Sequence, residues 1–282
     1  MKKEKKEQNN KKSHTLIIYF ILIISILFLY SRYIEPFHLI VNEYKIESKN
    51  VPKSFDGIKI VHFSDVHYGT TVDNKYLNKI VDLINKQKPD IVVFTGDFFD
   101  KRKNISEKEI SNINNTLSKI NSNLGNYAVN GNHDIKYLKK FEEVMNNNFT
   151  VLNNEEKLIY YKDSIPISIA GFTDARETET NYEILNNNSN YRIVLIHEPD
   201  EYSKIKDYNF NVIMSGHSHG GQVRIPLIGK VYTPDGSKKY YDNYYKFNDK
   251  EMFVSYGIGT SLFDIRFNCT PSINLYRLYA QN

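Results

Sequence analysis

A chain of 282 residues, 40% hydrophobic and 25% charged, has material for a sizeable buried core and lacks the bias of a disordered or fibrous protein. Its net charge of +4 sits in residues 1–14, where six lysines face Glu4 and Glu7. Residues 51–282 hold 28 basic and 28 acidic side chains, so no global basic surface marks a nucleic-acid binder. Cys269 is the single cysteine, which excludes an intramolecular disulfide and a thiolate metal cluster.

Residues 1–14 read as a basic cytoplasmic tail. The run LIIYFILIISILFLY follows from Leu16 to Tyr30, and widening it to 15–34 gives the twenty residues that a bilayer-spanning helix needs. Lysines precede it and only Arg32 follows closely, so the expected orientation is N-terminus in the cytoplasm and the remaining chain outside, in a single pass of the cell membrane. No small-x-small cleavage site follows, which favours an uncleaved anchor over a signal peptide. Residues 35–50 read as a linker, with a short strand around 39–46, and 51–282 as one domain.

From Ile58 onward short apolar runs alternate with amphipathic stretches, the pattern of buried strands and crossover helices. Strands are predicted at Ile58–Phe63, Ile91–Phe94, Tyr127–Val129, Ile167–Ala170, Ile193–Ile196 and Val212–Met214. Leu77, Ile80, Val81 and Ile84 share one helical face. Ser106 with Glu109 forms a capping-box pair opening a helix with Ile110, Ile113, Leu117 and Ile120. Beyond Gly221 come strands at Val223–Ile225, Met252–Val254 and Ile273–Leu278. The succession indicates an α/β (α+β) fold around a central sheet sandwich.

In such folds the chemistry gathers past the carboxyl ends of strands. Five predicted strands run directly into a polar loop: Ser64-Asp65-Val66-His67, Gly96-Asp97-Phe98-Phe99-Asp100, Gly131-Asn132-His133-Asp134, His197-Glu198-Pro199, and Gly216-His217-Ser218-His219-Gly220-Gly221-Gln222. These loops hold five of the eight histidines. Taken singly, each residue has a commoner structural role: a strand-end Asp caps a helix, Gly131 and Gly216 turn the chain, and a lone His is a hydrogen-bonded core residue. Together they leave unexplained why so many strands end in a ligand-type side chain. Carboxylate, amide oxygen and imidazole suit manganese, iron or zinc. Asp-x-His and His-x-His place both side chains on one side of an extended segment. Seven such groups exceed what one tetrahedral ion takes and match a pair of ions, the arrangement used for in-line displacement at phosphorus.

The five loops, in this order, resemble the calcineurin-like metallophosphoesterase family, whose pattern is D-x-H, G-D-x-x-D, G-N-H-[DE], an isolated His and G-H-x-H. The likeness extends from about Val51 to Leu278. Ser54 to Ile60, Gly257 to Ser261, and Ile265-Arg266-Phe267 look like its membrane-anchored branch, which includes relatives of UDP-2,3-diacylglucosamine pyrophosphatases and Gram-positive cell-envelope phosphoesterases. Pro271-Ser272-Ile273 departs from the usual Pro-Glu-Ile of that branch, and Asp242-Asn243 stands where a Gly is common.

The resemblance implies a four-layer αββα sandwich and two divalent metal ions. One ion would be held by Asp65, His67, Asp97 and His219. Asp97 would bridge to the second, completed by Asn132, His197 and His217. His133 would face the phosphate as the catalytic side chain, Asp100 would stand behind the ligands, and Asp134 would orient His133 or, by preference, cap the following helix. The implied activity is hydrolysis of a phosphoester or pyrophosphate bond, with a phosphorylated lipid or envelope component as partner. Two other readings are a non-catalytic envelope-binding protein, against which no ligand position is lost, and a nuclease or cyclic-nucleotide phosphodiesterase. Nucleic acid is not the expected partner of a neutral domain. Tyr240, Tyr241, Tyr244 and Tyr245 would stack bases in that case, and a half-exposed strand accounts for them more simply.

Overall fold

The computed structural model describes residues 2–163, 165–176 and 178–281, with side chains from Ser13 onward. The tail lysines at 2–12 therefore lie outside the described side chains. α1 (Lys2–Tyr33) is one continuous helix whose apolar stretch is exposed on every side, from Leu16 to Tyr30. It is long and apolar enough to cross a membrane, and none of its most apolar stretch is buried against the domain.

The stretch 35–50, expected to be a linker, is instead built into the fold. After a tight turn at Glu35–Phe37, β1 (Ile40–Ser48) pairs in parallel with the strand Ser272–Ala280, from Ile40 against Ser272 to Ser48 against Ala280. The strand itself was foreshadowed by its apolar residues; its partner lies at the far end of the chain.

In order there follow β2 (Lys59–Phe63), α2 (Asn74–Lys86), β3 (Ile91–Thr95), α3 (Glu107–Leu117), β4 (Asn126–Val129), α4 (Leu138–Asn146), β5 (Thr150–Val151), β6 (Glu155–Ile159), β7 (Ile167–Gly171) and β8 (Arg192–Leu195). Then come α5 (Tyr202–Ile205), β9 (Val212–Ser215), the small hairpin β10 (Arg224–Ile225) and β11 (Gly229–Lys230), β12 (Tyr244–Phe247), β13 (Lys250–Val254) and β14 (Ser272–Ala280). One six-stranded sheet has the order β1-β14-β2-β3-β4-β5, and the other β12-β13-β9-β8-β7-β6. Strands β2 to β5 run parallel, as do β7, β8, β9 and β13.

Strand alternation divides the core into three layers. Ile60, Val93 and Val129 of the first sheet meet Ile169, Ile193, Leu195, Met214 and Phe253 of the second. The opposite face of the first sheet, with Val61, Phe63, Val92 and Phe94, is covered by the apolar stripes of α2, α3 and α4. The capping box opening α3 is formed: the Ser106 N–H donates to the Glu109 carboxylate at 2.8 Å, and the Glu109 N–H to Ser106 Oγ at 3.3 Å. Ile120 lies just past the end of that helix. On the far side, Val194, Ile213, Met252 and Val254 pack against Phe172, Leu185, Ile205 and Phe210. There the outer layer is thin, a single helical turn (α5) plus short turns, so the αββα sandwich is lopsided. Tyr244 and Tyr245 lie in β12, partly exposed, and Tyr245 and Tyr240 pack edge to face against each other within that layer.

Candidate metal centre

All seven candidate ligands leave the carboxyl ends of parallel strands: Asp65 and His67 after β2, Asp97 after β3, Asn132 after β4, His197 after β8, and His217 and His219 after β9. Because both sheets present these ends on one side of the sandwich, side chains up to 154 positions apart (219 − 65) meet there. The loops are tied by backbone bonds, Asp65 N–H to Gly96 O at 2.9 Å and His67 N–H to Asp97 O at 3.1 Å.

Five of the seven sit in the left-handed backbone region: Asp65 (φ 50°), His67 (45°), Asp97 (60°), His217 (65°) and His219 (49°). That region is disfavoured for side chains with a Cβ, and its concentration at one place is the mark of a constrained functional site. Gly96 shows how tight the packing is. It has φ 88°, and a Cβ there would come 2.6 Å from His197 Nδ1, so only glycine lets β3 turn beneath that ring.

The side chains form two clusters joined at Asp97. In the first, His67 Nε2 lies 3.0 Å from His219 Nε2, His219 Nε2 3.5 Å from Asp65 Oδ1, and His67 Nε2 3.6 Å from Asp97 Oδ2. In the second, His197 Nε2 lies 3.3 Å from Asp97 Oδ2 and 3.2 Å from His217 Nδ1. Within each of the trios Asp65–His67–His219 and Asp97–His197–His217, the ligand atoms lie within 4.8 Å of one another. Nitrogens each about 2.1 Å from one ion, at right to tetrahedral angles, stand roughly 3.0–3.4 Å apart, which is the spacing seen. Asn132 Oδ1 is buried with no hydrogen-bond partner, the state of an oxygen awaiting a cation. The residues therefore fit a pair of metal ions.

The imidazoles are prepared for that role. His197 Nδ1 is 2.6 Å from Thr95 O and His217 Nε2 is 2.8 Å from Asp235 O, so each donates its outer N–H to a backbone carbonyl and turns the other nitrogen's lone pair inward. Burial pulls His67 and His217 down to about 3 and His219 well below its ordinary value, which keeps all three neutral. His197 goes the other way. Burial is the strongest single influence and lowers it, but the charge and hydrogen bond of Asp97, with the charges of Asp65 and Glu198, together outweigh burial and hold it well above the usual range. Burial likewise opposes the charge on Asp97, and His197 with His133 hold that carboxyl well below normal. Asp65 is pushed up to about 7, mainly by burial.

Three further residues support the ligands. Asp100 is gripped by Arg102, whose Nε and Nη2 donate to its two oxygens at 2.8 Å each, and places Oδ2 3.6 Å behind His67 Nδ1. Asp134 neither caps the next turn nor bonds His133. Its carboxylate accepts the backbone N–H groups of Asp97 (2.8 Å), Phe98 (2.9 Å), Phe99 (3.1 Å) and Gly131 (3.0 Å), pinning the β3 and β4 loops together. Both sequence expectations for it are thereby corrected, because four backbone donors hold more of its oxygens than a helix cap would. Arg266, missed as a site residue, is fully buried, donates to the carbonyls of Tyr256, Gly259 and Cys269, and brings Nη2 within 3.4 Å of His219 Nδ1. Its carbonyl partners lie within ten positions, but its approach to His219, 47 positions away, leaves no local pattern in sequence. His133 is in neither of those trios; with His67 and Asp100 it forms a third group whose nitrogen and oxygen atoms lie within 4.8 Å of one another. Its Nδ1 accepts the Lys101 N–H at 3.3 Å, so its proton sits on Nε2, at the wall of a 350 Å³ cavity that also exposes Asp97, Asn132, His217 and His219.

The calcineurin-like phosphoesterase family model matches residues 58–221, which contain all seven candidate ligands. The chain belongs to that family. It is 33% identical to the metallophosphoesterase YkuE of Bacillus subtilis over 90% of this chain and 90% of that protein. It is 28% identical to the phosphodiesterase YaeI of Escherichia coli, covering 88% of this chain and 92% of that one. It is also 28% identical to the UDP-2,3-diacylglucosamine pyrophosphatase LpxG of Chlamydia muridarum, over 62% of this chain and 68% of the relative. The matched span holds both clusters that meet at Asp97.

Proposed function

We propose that the protein is a membrane-anchored phosphoesterase with two divalent ions, manganese, iron or zinc, hydrolysing a phosphodiester or pyrophosphate bond in a lipid or envelope substrate. The observation that carries this is the pair of ligand clusters meeting at Asp97, with an unpartnered Asn132 oxygen among the cavity-lining groups beside them. Asp65, His67, Asp97 and His219 would hold one ion, and Asp97, Asn132, His197 and His217 the other. Ions bound there would supply an activated water near neutral pH and positive charge opposite the phosphoryl oxygens.

The chain's own groups do the remainder. His133, with its proton on Nε2 and at the cavity wall, donates a hydrogen bond to a phosphoryl or departing oxygen and stabilises the charge there, and solvent supplies the proton that the departing oxygen takes up. Lys101 and Arg176 line the same cavity and balance the charge of a phosphodiester. Asp134 keeps Asp97 and Gly131 in register, and the carbonyls of Thr95 and Asp235 fix the ring orientations of His197 and His217. The apolar exposure of α1 supports the anchor, and the lysines preceding it support a catalytic domain outside the cell.

The test is purification of the full chain in detergent, elemental analysis, and hydrolysis of chromogenic phosphomonoesters and phosphodiesters with and without a chelator. Two equivalents of metal and chelator-sensitive diester cleavage are expected. Protein that stays metal-free in manganese, iron and zinc would end the proposal, whereas metal without turnover on any ester would favour a non-catalytic binder.

A further inference from the structure

The mouth of the catalytic cavity carries apolar side chains that serve neither the core nor the metal clusters. The segment Ile225-Pro226-Leu227-Ile228 forms the tip of the β10–β11 hairpin. Leu227 is fully exposed at φ 69°, a backbone conformation that hairpin turns normally give to Gly, Asn or Asp, and Ile228 is 76% exposed. A second loop presents Leu262, 58% exposed, and Phe263, 69% exposed. Turn chemistry explains neither loop, since water-facing tips take polar residues. Large apolar side chains exposed on two loops that flank one cavity mark a surface that meets something apolar.

The two loops are one hydrogen-bonded unit. The Gln222 amide donates to Phe263 O at 2.7 Å and its oxygen accepts the Ser261 N–H at 2.8 Å, while Arg224 N–H donates to Phe267 O at 2.8 Å. Both wall the cavity, through Val223, Val231 and Tyr232 on one side and Leu262, Phe263 and Ile265 on the other. The same segment grips the end of α1. Arg266 N–H donates to Ser31 O at 2.9 Å, Arg32 lies 3.5 Å from Asp264, and the buried Glu35 carboxylate accepts the N–H groups of Asn268 (2.9 Å) and Cys269 (2.6 Å). The apolar surface of α1 thus continues through Tyr33 and Ile34, both exposed, up to the segment 264–269 that follows the second loop. Around the hairpin, Lys238 sits over the ring of half-exposed Tyr232 at 4.7 Å, an aromatic and cationic pairing suited to the headgroup level of a membrane.

We infer that Leu227, Ile228, Leu262 and Phe263 form a lip that inserts into the bilayer crossed by α1, so that the cavity opens onto the headgroup layer and admits, from within the membrane plane, a lipid bearing a phosphodiester or pyrophosphate headgroup. This rests on the reading of α1 as a membrane span and of the metal centre as a phosphoesterase. The continuity of the lip with α1, and its rigid attachment to it, select the bilayer over a soluble partner. An anchor on a loose tether would leave the orientation of the mouth open; an anchor bonded to the loop that frames the mouth sets it.

The chain has no tryptophan, so single-tryptophan reporters are clean. Four full-length variants would be reconstituted in phosphatidylcholine–phosphatidylglycerol vesicles with and without brominated acyl chains: Ile228→Trp, Phe263→Trp, Leu22→Trp within α1, and Ile165→Trp. Ile165 is 48% exposed and precedes β7, at the end of the sandwich opposite the catalytic loops. Interfacial insertion of about 5–10 Å puts the lip within reach of the bromines, so the Ile228→Trp and Phe263→Trp proteins should each lose roughly half or more of their indole emission. The Leu22→Trp protein should be quenched likewise, and the Ile165→Trp protein should be unaffected. Quenching of the α1 reporter with none from either lip reporter would overturn the lip while leaving the anchor standing, which is also the outcome if a second copy or a soluble protein covers these tips. The readout needs no turnover, so a phosphoesterase that hydrolyses nothing and a lip that touches no lipid are separate failures.

Discussion

The two ligand clusters share Asp97 but are held in different ways. Around His197 and His217 the outer ring nitrogens donate to backbone carbonyls, of Thr95 and Asp235, so that cluster is oriented by the fold itself. Around His67 and His219 the outer nitrogens face charged side chains, Asp100 at 3.6 Å and Arg266 at 3.4 Å. A backbone carbonyl fixes a tautomer and cannot be lost by substitution. A carboxylate adds basicity to the ring in front of it and can be removed. One cluster is therefore built for permanence, and the other is open to adjustment by single mutations.

Substituting the shared residue breaks the comparison outright. Asp97→Ala should empty both clusters and lower turnover by roughly 10⁴-fold or more, the scale on which a unit loses an essential member. Elemental analysis beside a rate assay reads both losses. His133→Ala removes a ring packed edge-on against His67 but none of the seven candidate ligands, so metal content should stay at two equivalents while turnover falls about 10²–10³-fold. Asp134→Ala strips four backbone N–H groups of their acceptor and loosens the loop that both clusters share. A loss of about 3 kcal/mol or more in unfolding free energy is expected, since buried orphan donors cost about 1–3 kcal/mol each. An unchanged denaturant midpoint would contradict the pinning role.

Finer tests separate the clusters. Asp100→Asn should weaken one metal equivalent by about 10–100-fold and spare the other, which a two-step metal titration resolves. Equal weakening of both would remove the distinction. Smallest of all, Asp235→Ala removes an exposed side chain but keeps the carbonyl that orients His217. Metal stoichiometry should not change.

The loops that converge at Asp97 were legible because each is a local word: an apolar strand followed at once by Asp, Asn or His. His62 shows the limit of that signal. It lies inside β2, bonded to Tyr276 and Thr95, and is a core histidine; only its place before the strand end separates it from His67. What stayed hidden depends on contacts across the chain. Asp134 finds its donors 35–37 positions upstream as well as at Gly131, and backbone N–H groups carry no residue identity to read. β1 finds β14 only when the whole sheet closes, so 35–50 read as a linker. Glu35 looks like an ordinary surface charge until burial shows what it holds, and Arg266, which the sequence shows only as part of a resembling motif, is placed beside His219 only by the fold. The thin outer layer was equally unreadable, because the strands of the second sheet look alike whether a helix or a loop covers them.

The most direct measurement is electron paramagnetic resonance of the full chain titrated with manganese. Filling to two equivalents with an exchange-coupled spectrum is expected, because both ions would share the Asp97 carboxylate. Saturation at one equivalent with the isolated six-line signal of a lone ion would contradict the account.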